Sequence, residues 1–184
     1  MPRTIHISSG ERWDQIAETF LPPIEGDIMI EHSLYSIAKW EEKYQRIFLS
    51  KKDGPKTSEE FIYYVKCMTI SPDVNEELYD YIDANALNDI FSYMNANLTA
   101  TRIAHEEPAS HSRGEEVSSE LVYYWMSALQ VSFEAQYWHF SRLMALIQIG
   151  SEKNKPPKKM SRKQTVNKYA ALNEARRRKF GTSG

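Results

Sequence analysis

The chain changes sign at residue 152, and that limits which part of it can build a core. Residues 152–184 hold eleven Lys and Arg, among them Lys158, Lys159, Arg162, Lys163, Arg176, Arg177 and Arg178, against Glu152 and Glu174 alone, a net charge of +9. The whole chain carries −2, so residues 1–151 carry −11. The basic segment has only a thin apolar stripe, Val166, Tyr169, Ala170, Leu172 and Ala175. A stretch so charged and so poor in large apolar side chains does not bury enough surface to fold as its own globule. The core must therefore come from residues 1–151, and the remainder reads as a basic arm that meets something acidic. With 41% hydrophobic and 26% charged residues, a chain of 184 residues supplies one ordinary core plus an appendage.

Cys67 is the one cysteine, so no intrachain disulfide forms and a reducing compartment is expected. The first ten residues, MPRTIHISSG, lack the apolar centre of a signal peptide. No stretch approaches the roughly 18 uninterrupted apolar residues of a membrane span. Asn97-Leu98-Thr99 matches a glycosylation triplet, which without a secretion signal reads as chance.

Alternating residues 4–8 and 27–31 predict two short strands that pair, an N-terminal β element over residues 1–32. Between them, residues 11–26 form either a short helix or an excursion ending at Pro22-Pro23. At Ser33 the period becomes helical. Leu34, Ile37, Trp40, Tyr44 and Phe48 predict a helix capped by Ser33. A polar turn at Lys51–Pro55 precedes a second helix, opened by Thr57 or Ser58 and buried through Phe61, Tyr64, Val65 and Met68. Residues 75–96 predict two short helices or one bent one, and 97–117 a long surface loop. Leu121, Tyr124, Trp125, Ala128 and Leu129 predict the apolar stripe of a further helix, broken near Val131-Ser132. Phe133, Tyr137, Phe140, Met144 and Ile147 then predict one amphipathic helix running antiparallel to it. Lys155–Lys158, with two prolines, ends that helix, and residues 160–179 form another, capped at Ser161. The fold class is mainly α. A helical bundle body over 33–151 follows the small hairpin-like β element, and a basic C-terminal helix or arm spans 152–184.

No phosphate-cradling, zinc-protease or nucleophile-elbow motif is present, and seven glycines leave little for a phosphate loop. His105 and His111 flank Glu106 and Glu107, but six residues of loop is not a metal-ligand spacing. His139, within Tyr137-Trp138-His139-Phe140, has no motif-borne nucleophile and reads as a packed histidine. Glu31-His32 and Glu41-Glu42 read as solvated carboxylates on strand and helix surfaces. The chain is expected to be no enzyme, with no cofactor and no metal. Nucleic acid is disfavoured as a partner. The arm interleaves only Tyr169 and Phe180 for base stacking, and the −11 body repels phosphates. The aromatic surplus is different. Tyr123, Tyr124, Trp125, Phe133, Tyr137, Trp138 and Phe140 surround their helix axes, so some must lie outside the core and suit a helix-binding groove.

The runs SLYSIAKWEEKYQRIF, FIYYVKCMTI, SELVYYWMSALQVSFEAQYWHFSRLMALIQI and KNKPPKKMSRKQTVNKYAALNEARRRK, in this order over about residues 31–180, resemble the tail assembly chaperones of long-tailed bacteriophages. The block YYWMSAL to FEAQYWHFSRLMALI, with the following PPKKMSR, carries most of the resemblance. It implies a non-catalytic protein of the host cytoplasm that coats the tape measure protein, recruits tail tube protein and is absent from the mature virion. Such families have a short and a frameshifted long form, and the ending KFGTSG fits the short one. The client-binding residues expected are Tyr124, Trp125, Phe133, Tyr137, Trp138 and Phe140. Lys158, Lys159, Arg162, Lys163, Arg176, Arg177 and Arg178 are the expected electrostatic contacts, to client, tail tube or the acidic body of a second copy. A structural tail or head–tail adaptor protein is the first alternative, and a nucleic-acid-binding accessory protein the second.

Overall fold

The structure is a computed structural model that describes residues 2–50, 52, 54–101, 116–154 and 162–181. The protein is mainly α, with a small sheet at its N-terminus. It divides into two compact units, Met1–Glu152 and Lys153–Gly184.

Strands β1 (Arg3–Ser8) and β4 (Glu25–Ile30) pair antiparallel, with Ile5 opposite Ile28 and Arg3 opposite Ile30. The expected pairing is present, and its alternation puts Ile5, Ile7, Ile28 and Ile30 on the buried face. The excursion between them is a second hairpin rather than a helix: β2 (Arg12–Asp14) against β3 (Thr19–Leu21). Gly26 is approached closely by Leu78: a Cβ there would lie 2.9 Å from Leu78 Cδ1, so a larger residue would make that side chain shift.

Helix α1 (Leu34–Tyr44) opens on a capping box. Ser36 N–H donates to Ser33 Oγ, and the Ser33 N–H donates to Ser36 Oγ. It ends four residues before the expected Phe48, because Gln45 takes a left-handed conformation at φ 51°. Phe48 still reaches the core, because the Glu41 carboxylate receives its N–H at 2.8 Å and turns the chain back. Helix α2 (Ser58–Met68) has the Thr57–Glu60 capping box and buries Tyr64, Val65 and Met68. Its C-terminal extension is stitched to β4: Glu31 N–H donates to Met68 O, and Ile70 N–H to Met29 O. A 3-10 segment (Glu76–Tyr81) and helix α3 (Ala84–Met94) add Leu78, Tyr79, Ala86, Ile90 and Tyr93. These residues and the sheet make one core cluster, so the β element is a wall of that core.

A second cluster joins Leu34 of α1 to Val122 and Met126 of α4 (Ser119–Ala128), to Ala135, and to Leu143 and Ile147 of α5 (Phe140–Asn154). Helix α1 thus serves both clusters, with Leu34 in one and Ile37 and Trp40 in the other.

Two sequence expectations fail here. Helix α4 is rotated from the expected stripe. The slender Val122 and Met126 are fully buried, Leu121, Trp125 and Leu129 lie at the margin, and Tyr124 and Ala128 are exposed. The phenol and indole thereby keep their polar ends near water. The expected single helix through Phe133 to Ile147 is interrupted. Residues Phe133–Tyr137 form a 3-10 turn, Trp138 is extended, and α5 starts only at Phe140. Tertiary pairing overrides the period at this point: Phe140 N–H donates to His32 O at 2.7 Å, and His139 bridges to Ser33.

In the second unit, α6 (Arg162–Phe180) forms as expected. Every described side chain from 166 to 180 is exposed, including the expected stripe of Val166, Tyr169 and Leu172. The expected caps and breakers at residues 155–161, the polar turn at Lys51 and Asp53, and the loop over 102–115 lie outside the described residues. Among the described residues no helix is long and apolar enough to cross a membrane.

Candidate functional site

Two constellations bear on function: an interior cluster of polar aromatics and an exterior set of apolar ones. The interior cluster lies where α1, α2, α3 and α5 meet. His32 and His139 are buried with their rings 5.5 Å apart, and Tyr93 and Phe140 pack against them. His32 Nδ1 and the Tyr64 hydroxyl are 2.6 Å apart, and Ser36 Oγ lies 3.3 Å beyond. Burial and the nearby His139 hold the His32 pKa down at about 3, so its ring is neutral and shares a hydrogen bond with the Tyr64 hydroxyl. Burial pushes the Tyr64 and Tyr93 phenols up, and both stay protonated.

His139 takes one tautomer. Its Nε2 faces the Tyr93 carbonyl at 3.2 Å and must carry the proton, while Nδ1 accepts from Ser141 N–H at 3.3 Å. The Tyr93 hydroxyl donates to Glu31 Oε1 at 2.6 Å. Among the described residues no buried side-chain N or O lacks a partner. His139 commits both ring nitrogens to packing, as its apolar neighbours suggested.

The solvated reading of Glu31 and Glu41 is corrected. Both are buried. Glu31 holds Tyr93, and Glu41 ties the Phe48 N–H and the Ser119 N–H with one oxygen each, both at 2.8 Å. A buried carboxylate needs such donors, and here the Tyr93 hydroxyl and two backbone N–H groups supply them. Their order along the chain gives no sign of this. Among the described residues no cluster of His, Cys, Asp and Glu is suited to a metal. His105 and His111 lie outside them.

The exterior set follows from the rotation of α4 and the break before α5. Tyr124 is 66% exposed, Tyr137 55%, Phe133 54% and Trp138 42%. Trp125 and Phe140 are half-buried. Trp125 packs on the second cluster, and Phe140 packs on both. The structure brings the outer rings together in pairs. Tyr137 lies 5.2 Å from Tyr35 of α1, and Phe133 lies 6.3 Å from Tyr123. The Tyr123 hydroxyl donates to Gln136 Oε1 at 2.8 Å and fixes that ring. Cations cover part of this surface: Lys39 Nζ is 4.5 Å from the Tyr35 centroid, and the Arg142 guanidinium is 5.3 Å from that of Trp138. Such contacts at exposed sites are worth about 0.5–1 kcal/mol and keep the aromatic faces in place without hiding them.

Sequence reasoning missed Tyr35. As the second residue of α1 it faces away from Leu34, Ile37 and Trp40, a position the helical period does give. It also missed exposed Trp13, Ile16 and Phe20 on the second hairpin, because that segment was read as a short helix or an excursion.

Of the expected electrostatic residues, Arg176, Arg177 and Arg178 occupy the last turn of α6, where cations favour the helix dipole. Arg178 pairs with Glu174 one turn earlier. Arg162 and Lys163 start the helix, and Lys158 and Lys159 lie outside the described residues.

No known protein family and no curated protein matches the chain, and no solved structure matches its fold.

Proposed function

We propose that this protein is an assembly chaperone of a long-tailed bacteriophage tail. It binds the tape measure protein in the host cytoplasm, promotes tail tube assembly and is left out of the finished virion. It works by covering surface, not by catalysis. The single observation that carries this reading is the exterior aromatic set, Tyr124, Phe133, Tyr137 and Trp138 with Tyr35 beside them, within the segment whose sequence resembles such chaperones. A long amphipathic helix kept soluble before assembly needs its apolar stripe masked. Rigid aromatic side chains at low entropy cost suit that task. The helical body presents the rings, and the basic arm with Arg176, Arg177 and Arg178 contacts acidic patches on the client or on tail tube protein. The interior His–Tyr–Glu cluster serves to lock the body that carries the aromatic surface.

Co-expression with the tape measure protein from the same virus tests the reading. The expected result is a soluble complex. The Tyr124→Ser, Tyr137→Ser, Trp138→Ser triple variant, equally folded, should leave the tape measure protein in the pellet. Unchanged solubility of the client with and without this protein overturns the reading. A stoichiometric band of the protein in purified virions would instead favour a structural tail or adaptor subunit.

A further inference from the structure

No residue of the β2–β3 hairpin belongs to either core cluster. Trp13 stands opposite Phe20 across the strands, rings edge to face at 4.8 Å, and both are exposed. Ile16, in the turn, is 98% exposed. A two-stranded hairpin alone is marginal in water, but this one is braced. Asp14 Oδ1 accepts from Ile16 N–H at 2.8 Å and Ala17 N–H at 3.1 Å, which closes the turn. Those bonds hold the Asp14 carboxyl below its usual range. Glu18 takes the left-handed conformation that lets the chain return, and the Arg12 guanidinium lies 6.0 Å from the Tyr81 ring. The product is a preformed arm with three bare apolar side chains among the carboxylates of Glu11, Asp14 and Glu18.

The same unit carries a surface of opposite character. A groove of about 710 Å³ has Leu98, Trp138, Leu146 and Ile149 in its walls. Its charged lining residues are Arg3 and Arg142, with no Asp or Glu among the described ones.

We propose that the hairpin arm of one copy docks in this groove of a second copy, Trp13 and Phe20 against Trp138 and Ile149, with the acidic turn toward Arg3 and Arg142. The occupant is a second copy because one chain carries both halves, apolar on both sides and opposite in charge. The contact joins two different surfaces, so a pair held by one such contact still offers one arm and one groove. Association closes as a reciprocal dimer or ring, or runs on as an open array. The inference rests on the arm and the groove, not on the tape measure reading, although Trp138 belongs to both surfaces.

Sedimentation velocity of the full chain across the micromolar range, at low and high salt, tests it. Wild type should self-associate with rising concentration and less so at high salt. Trp13→Ser with Phe20→Ser should be monomeric throughout with an unchanged far-UV spectrum. Glu18→Arg or Arg142→Glu alone should weaken association severalfold, and the two together in one chain should restore it. Should the double hairpin variant lose helical signal, the charge swap, which keeps both rings, decides alone. A wild type monomeric throughout, or self-association unchanged in the hairpin variant, overturns the proposal. So does a hairpin variant that loses only the tape measure protein, since that outcome assigns the arm to a client.

Discussion

Removing Glu41 should unlatch the two ends of the body from each other. Its carboxylate is buried, and its two oxygens receive N–H groups from positions 48 and 119, which no helix or strand would otherwise satisfy. The first N–H groups of α4 have no partner within their own helix, so Ser119 N–H depends on this acceptor. Each buried N–H left without an acceptor costs about 1–3 kcal/mol. Glu41→Ala orphans both and should destabilise by about 4 kcal/mol. Glu41→Gln keeps one carbonyl oxygen and should cost about 2 kcal/mol. For a protein of this size each kcal/mol moves Tm by about 2–4 °C. The expected losses are thus about 8–16 °C for Ala and about 4–8 °C for Gln. Glu42, the exposed neighbour, is the control, and Glu42→Ala should stay within about 0.5 kcal/mol. Urea unfolding followed by far-UV circular dichroism gives the midpoints and shows whether the slopes agree. A Glu41→Ala protein within about 0.5 kcal/mol of wild type would refute the assignment of Glu41 as the latch.

Acid should loosen the protein before most carboxylates titrate. The His32 pKa is lowered in the folded state to about 3, from an ordinary 6.5, so the unfolded chain binds the proton more tightly. The stability from keeping this ring neutral is full above pH 6.5 and drains away as pH falls toward 3, by at most about 1.4 kcal/mol per pH unit. Burial lowers His139 in the same direction. Thermal melts from pH 7.5 to 5 should show falling Tm. His32→Asn, which keeps an acceptor near the Tyr64 hydroxyl, should flatten that slope, and an equal slope in both proteins speaks against His32 as its source. Leu143→Ala should cost about 2–5 kcal/mol by opening a cavity in the second cluster, whereas Val166→Ala on exposed α6 should cost under about 1 kcal/mol. Truncation after Glu152 should leave Tm within about 2 °C, since neither core cluster draws a residue from beyond it. A larger drop would mean that the arm stabilises the body.

The elements with local signals were legible. Alternating isoleucines placed β1 and β4. Ser33 and the Thr57-Ser58 pair marked two helix starts because capping is decided within three residues. Where contacts from far along the chain decide, the sequence misled. Phe133, Tyr137 and Phe140 keep a helical spacing, yet His32 and Ser33 pull the backbone between them into an extended bridge. Glu31, before His32, and Glu41, beside Glu42, look like surface acids, and only the fold brings Tyr93, Phe48 and Ser119 to them. For the aromatic surface, the surplus of rings between 121 and 140 was readable, but not which rings face out. The rotation of α4 by one position puts Val122 and Met126 in the core in place of Leu121 and Trp125 and leaves Tyr124 outside, and counting apolar residues does not distinguish a core aromatic from a displayed one.

The central claim, that the outer aromatic rings cover a client's apolar stripe, is tested most directly by calorimetric titration of this protein with a soluble synthetic segment of the tape measure protein at several temperatures. The account predicts saturable binding with a negative heat-capacity change, the mark of apolar burial, lost in the Tyr124→Ser, Tyr137→Ser, Trp138→Ser variant. No binding, or binding of equal strength and heat capacity in that variant, would contradict it.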